Sequence, residues 1–277
     1  MKHEESFLKG VRGTKIYSQK WLPEHETKAI LLVIHGLAEH SGRYANVVNY
    51  FVPLGYAVYA LDHIGHGKSE GTRVYVERFE DFTDTIKIYF DMIRESHPDT
   101  PIFLVGHSMG ALIGAFYLLD HQDELAGSVL SGASVKIPED ISPAIILVGK
   151  ILSVLAPKMG LIQLEADGVS RDPEVVAAYV NDPLVTIGKY TTRLAAELLR
   201  AMKRVTTQAS TIHLPLLLLQ GSADTIVDPT GAQMLYDTVS SEDKTLKMYE
   251  GLYHEVFNEP ERAQVLQDME KWLDRQS

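Results

Sequence analysis

Apolar positions along this chain follow two rhythms in turn. Short, largely apolar runs at Ala29–Ile34, Ala57–Leu61, Ile102–Val105, Gly127–Leu130, Leu214–Leu219 and Thr245–Tyr249 read as strands, mostly buried on both faces. Between them, apolar residues recur at steps of three and four. Phe79, Phe82, Ile86, Tyr89 and Ile93 make one helical stripe, closed by Pro98, and Val265, Met269, Trp272 and Leu273 make another. Asp228-Pro229 reads as a helix start, with a capping carboxylate before a proline. Ahead of the alternation, Phe7–Val11 and Lys15–Trp21 predict a hairpin turning at Arg12-Gly13-Thr14. Strands alternating with helices predict an α/β fold whose central sheet is mostly parallel and flanked by helices.

The alternation breaks once. Roughly 80 residues separate the strand near Ser131 from the one near Leu214, far more than a crossover needs. This stretch holds the most apolar run, Ile141 to Leu164, which Lys150, Lys158, Pro143 and Pro157 interrupt. The run falls short of the roughly 18 uninterrupted apolar residues that a membrane span requires, so no transmembrane segment is expected. A second helix, Tyr190 to Val205, carries Leu194, Leu198, Met202 and Val205 on one face. We read residues 135–206 as a helical lid inserted after the sixth strand, with 1–134 and 207–277 forming the core. Extra packing helices with no role in access are the plainer alternative.

Charge and composition narrow the classes. Lys and Arg number 26 against 37 Asp and Glu, a net charge of −11. That argues against nucleic-acid binding and gives no attraction to anionic lipid, so any membrane contact would be apolar. With no cysteine, disulfides, thiol nucleophiles and thiolate metal sites are excluded. Met1–Ser6 lacks the apolar core of a signal peptide, which predicts a cytoplasmic protein, at most peripheral to a membrane.

The chemistry concentrates at Gly106-His107-Ser108-Met109-Gly110, between the strand Ile102–Val105 and a helical run from Ala111. A serine between two glycines at a strand-to-helix turn matches the nucleophile elbow of α/β-hydrolases. Its hydroxyl needs a base, and the base needs an orienting acid. In that fold the chain order is serine, acid, histidine. Asp224 follows one late strand and His254 the next, both at C-terminal strand ends, where open α/β sheets bind ligands. His254 is the histidine that lies after the acid; Asp228, the rival acid, reads better as the helix cap. The oxyanion donors would be the backbone N–H of Met109 and that of Leu37, in the loop after the third strand. His63 and His66 have no apparent third ligand and sit among turn glycines, so no metal is expected. His40 and His107 read as structural neighbours of the site.

Six stretches, His35–Tyr44 (HGLAEHSGRY), Asp62–Gly71 (DHIGHGKSEG), Gly106–Gly110, Asn181–Leu184, Leu217–Asp224 (LLLQGSAD) and Lys244–His254 (KTLKMYEGLYH), together resemble the monoacylglycerol lipases, a subgroup of the α/β-hydrolases. The resemblance spans nearly the whole chain. It implies ester hydrolysis of monoacylglycerols through an acyl-enzyme, without a cofactor; separately, the apolar lid residues Ile145, Ile146, Leu147, Ile151, Leu152 and Leu155 predict transient apolar contact with lipid surfaces. It also implies that Glu39 and Arg43 help bind the glycerol head group, with Tyr179 near the same pocket. On residue types alone, Glu39 and Arg43 read as an i,i+4 surface ion pair worth only ~0.2–0.5 kcal/mol. Two positions depart from the family. Phe257 stands where the animal enzymes carry a second histidine, and Ala111 replaces a glycine common after the elbow. A general carboxylesterase or lysophospholipase, and a non-catalytic ligand-binding protein, are the alternatives.

Overall fold

The structure, a computed structural model, describes residues 1–137, 142–163 and 166–276. The six predicted apolar runs lie side by side in one eight-stranded sheet. Its strands are β1 (Lys2–Lys9), β2 (Lys15–Leu22), β3 (Ala29–Ile34), β4 (Tyr56–Leu61), β5 (Ile102–His107), β6 (Gly127–Ser131), β9 (Leu216–Gly221) and β10 (Lys244–Tyr249), in the order β1-β2-β4-β3-β5-β6-β9-β10. From β4 to β10 every pairing is parallel; β2 meets β4 and β1 meets β2 antiparallel. β9 starts after Pro215, because a proline has no N–H to give a ladder. β1 begins five residues before the apolar pattern does. Its polar residues pair with β2 at the sheet edge, where an apolar face is not required.

The period of two divides the strand side chains between two layers. In β3, Ile30, Leu32 and Ile34 enter one cluster and Ala29, Leu31 and Val33 the other. The first layer is closed by α2 (Glu80–Ser96), α3 (Met109–His121) and α7 (Thr230–Thr238), the second by α1 (Ala45–Phe51) and α8 (Arg262–Gln276). Each fully buried Leu, Ile or Phe side chain contributes ~1.5–3 kcal/mol, which fixes the register of the central strands.

The long stretch between β6 and β9 contains α4 (Pro143–Leu155), α5 (Pro173–Asn181), α6 (Thr192–Gln208) and a small antiparallel ribbon of β7 (Gly160–Gln163) and β8 (Lys189–Thr191). Ile141 and Leu164, the ends of the apolar run, lie outside the described residues. The two main helices differ in kind. α6 buries Leu194, Leu198, Ala201, Met202 and Val205 in the first core layer, and the expected boundary at 206 falls inside it. α4 instead exposes Ile145, Leu147, Val148, Ile151, Val154 and Leu155, the last at 76%. Two hydrogen bonds fasten the segment after α5 to the loop after β3: Thr186 N–H donates to the Ala38 carbonyl at 2.8 Å, and His40 Nε2 meets Asp182 Oδ2 at 2.9 Å. No helix among the described residues is long and apolar enough to cross a membrane.

Candidate active site

Ser108 occupies the tight turn between β5 and α3 with φ 56° and ψ −120°, a conformation that costs a non-glycine residue roughly 1–3 kcal/mol. The flanking glycines permit the turn. A Cβ on Gly106 would lie 2.5 Å from the Gly110 carbonyl oxygen, and one on Gly110 would lie 2.0 Å from that of Ile34. The Ser108 N–H is held by the Ser131 carbonyl at 2.9 Å.

Asp224 and His254 come together from the loops after β9 and β10, with His254 Nδ1 2.7 Å from Asp224 Oδ2. That oxygen also accepts from Gln220 Nε2 at 3.0 Å, while Oδ1 accepts the Ile226 and Val227 N–H groups at 2.9 and 3.1 Å. Burial raises the Asp224 pKa, but the hydrogen bond and charge of His254 and these amides outweigh it, so the group sits below its ordinary value. Asp228 is turned elsewhere. It accepts from the Thr230 N–H and hydroxyl and pairs with Lys136 at 2.7 Å.

Ser108 and His254 line one cavity of about 20 Å³, together with Gly36, Leu37, Glu39, His107, Tyr179 and Glu255. This volume holds about one water molecule. Of the amides near Ser108, that of Gly36 is committed to Glu39 Oε1 at 2.6 Å and that of Ser108 to Ser131; neither of these is one of the expected oxyanion donors, Leu37 and Met109. His35 anchors the loop. Its Nε2 accepts the His63 N–H at 2.9 Å, so its proton is on Nδ1, which donates to the Gly36 carbonyl at 2.7 Å. His63 Nε2 donates in return to the His35 carbonyl at 3.2 Å. The His107 ring lies against that of His254, tilted by 50° with centroids 4.7 Å apart; burial, then that neighbour, push it down to about 3, so it is neutral near pH 7.

Glu39 and Arg43 are not an exposed helical pair. Glu39 is 4% exposed and accepts from Gly36 N–H, Tyr44 Oη (2.8 Å) and Arg43 Nη1 (2.8 Å). Arg43 also donates through Nη1 and Nη2 to both oxygens of Glu255, at 2.5 and 2.8 Å, and stacks over Tyr179 with Cζ 4.6 Å from the ring centre. Burial alone would raise Glu39; Arg43, His107, His35 and the Gly36 amide together hold it down at about 2. Arg43 lines a second, smaller cavity behind the first, with Phe257, Asn258 and His107. Sequence reasoning missed Glu255. The available signal was its position directly after His254.

The chain is similar to known proteins over nearly its whole length. A family profile described as serine aminopeptidase, S33, matches residues 25–261. The chain is 41% identical to a monoacylglycerol lipase of Mycolicibacterium smegmatis over 98% of its own length and 96% of the relative's. It is 35% identical to the human monoglyceride lipase, over 96% and 88% of the two chains. Among solved structures, a monoacylglycerol lipase of Paleococcus ferrophilus superposes with a TM-score of 0.86 at 30% identity, covering 95% of this chain and 99% of that one. This chain belongs to that serine-hydrolase family and, within the α/β-hydrolase fold, to the monoacylglycerol lipase group.

Proposed function

We propose that this chain cleaves the ester bond of monoacylglycerols with Ser108 as nucleophile, His254 as base and Asp224 as the orienting acid. The observation that carries the reading is the 2.7 Å bond between His254 Nδ1 and Asp224 Oδ2 beside a serine strained into an elbow. With its Nδ1–H donating to Asp224, His254 presents Nε2 as the acceptor for the Ser108 hydroxyl proton. Ser108 Oγ attacks the acyl carbonyl, and the Leu37 and Met109 N–H groups hold the oxyanion. His254 then passes its proton to the departing glycerol oxygen. Water repeats the sequence on the acyl-enzyme and frees the fatty acid.

Glu39 and Tyr179 face the cavity as head-group contacts, with Arg43 behind them. Residues 135–206 act as a lid. A cavity of about 20 Å³ cannot take an acyl chain, so substrate binding requires residues such as Val169 and Tyr179 to move. The exposed apolar face of α4 supports transient, reversible contact with a lipid surface. The test is a hydrolysis panel of 1- and 2-monoacylglycerols, triacylglycerols, lysophospholipids and simple esters. Monoacylglycerols should turn over far faster than triacylglycerols, and Ser108→Ala should abolish both hydrolysis and fluorophosphonate labelling. Equal rates across all esters would favour a general carboxylesterase. A wild-type chain that neither hydrolyses esters nor takes the label would be a binding protein.

A further inference from the structure

One buried cation stands between the two loops that the proposed chemistry needs in register. On one side, Glu39 closes the turn of the oxyanion loop from within. Its carboxylate accepts the Gly36 N–H, and a Cβ on Gly36 would lie 2.8 Å from Glu39 Oε1 and 3.2 Å from Ser108 Cβ. On the other side, Glu255 adjoins His254 and is fixed by Asn258 Nδ2 at 2.8 Å and by its own N–H to the Val169 carbonyl at 2.8 Å. Arg43 Nη1 donates to both carboxylates, and Nη2 completes the fork on Glu255. Glu39 and Glu255 are 4% and 5% exposed, so bulk solvent has little access to these bonds.

We infer that Arg43 is a positioning residue that locks the oxyanion loop to the His254 loop through Glu39 and Glu255, and so sets the turnover of any ester whatever its leaving group. The physical reason is geometric. A planar guanidinium with five donors can hold two carboxylates in fixed directions, whereas an ammonium is a point charge without a fork. Without the cation, two buried carboxylates face each other. One must protonate or draw in water, and Glu39 loses its hold on the turn beside Leu37. The inference rests on the serine-hydrolase reading of Ser108 but not on the identity of the alcohol.

The test compares wild type, Arg43→Lys and Arg43→Met on p-nitrophenyl acetate, which lacks glycerol, and on monobutyrin, with fluorophosphonate labelling rates and Tm alongside. Arg43→Lys keeps the buried charge, so it should stay folded yet lose at least ~10-fold in kcat on both esters, approaching the ~10²-fold cost of a lost oxyanion donor in Arg43→Met. KM should stay within about threefold, and labelling should slow in parallel with kcat. If Arg43→Met does not fold, Arg43→Lys decides the matter. A lower Tm with kcat unchanged in Arg43→Lys would make the cluster a stability feature only. A loss confined to monobutyrin, through KM, would make it a head-group subsite. Either result overturns the inference. A wild type active on p-nitrophenyl acetate but not on monobutyrin would instead count against the monoacylglycerol reading and leave this comparison intact.

Discussion

At the scale of single residues, the acid is the sharpest test of the site. Asp224 is held in place by Gln220 and the Ile226 and Val227 amides and meets His254 Nδ1 through Oδ2. Asp224→Asn should therefore lower kcat by about 10⁴, as in the serine-protease template, with little change in Tm, while Asp228→Asn, which keeps a capping oxygen and gives up only the charge pair with Lys136, should leave kcat nearly unchanged and cost no more than ~1 kcal/mol. The reverse pattern in steady-state kinetics would reassign the acid. That Asp224 meets His254, and that Ser108 and His254 share one cavity, was foreseeable because the expected chemistry dictates residue type, chain order and strand end together. The ion cluster was not. An i,i+4 Glu–Arg spacing describes an exposed helix face equally well, and here the outcome depends on Glu255, which meets Arg43 across 212 positions of chain. Nothing local in the sequence announces such a partner.

At the scale of elements, α4 and α6 show what periodicity can and cannot say. Both carry apolar residues in quantity, and both helices were readable. A stripe predicts a face to be covered but not what covers it. α6 finds the main core, whereas α4 leaves its apolar side exposed. Leu194→Ala should destabilise the protein by ~2–5 kcal/mol in urea titration, the range for a fully buried leucine. Leu155→Ser should change stability by no more than ~0.5 kcal/mol. It should nonetheless reduce turnover of emulsified monoacylglycerol more than that of soluble short-chain ester; equal reductions would remove the lipid-contact role of α4. The ribbon of β7 and β8 escaped notice because strands of three and four residues leave too short a pattern to register. The start of β1 escaped because its residues are polar.

For the whole molecule, buried imidazoles set the acid limit. His35, His63, His66 and His107 are all pushed below the ordinary histidine value, by burial first, with His66 and His107 at about 3. In the unfolded chain a histidine titrates near 6.5. Below about pH 6.5 the unfolded chain takes up protons that the folded chain refuses, so stability that is full above that pH is lost progressively toward pH 3. One unit below the unfolded value the loss is on the order of 1 kcal/mol for each of His66 and His107. Glu39, held at about 2 against an ordinary 4.5, adds to the loss in the same direction at lower pH. The urea midpoint should accordingly be lower at about pH 5.5 than at about pH 7.5, and equal midpoints would contradict this account.

The two hydrogen bonds joining residues 182–186 to residues 38–40 bear on how far this architecture is modular. Ala38 holds a left-handed φ of 65°, and its carbonyl is spent on Thr186, while His40 is spent on Asp182. The stretch proposed as the lid is thus wired into the loop proposed to hold the oxyanion. A chimaera that imports 135–206 from a relative must carry matching residues on both sides of these bonds. A graft that keeps the native 38–40 loop but lacks the Asp182 and Thr186 partners would acquire a new pocket above a loosened oxyanion hole. On the proposed roles, a change of lid should alter rate as well as specificity.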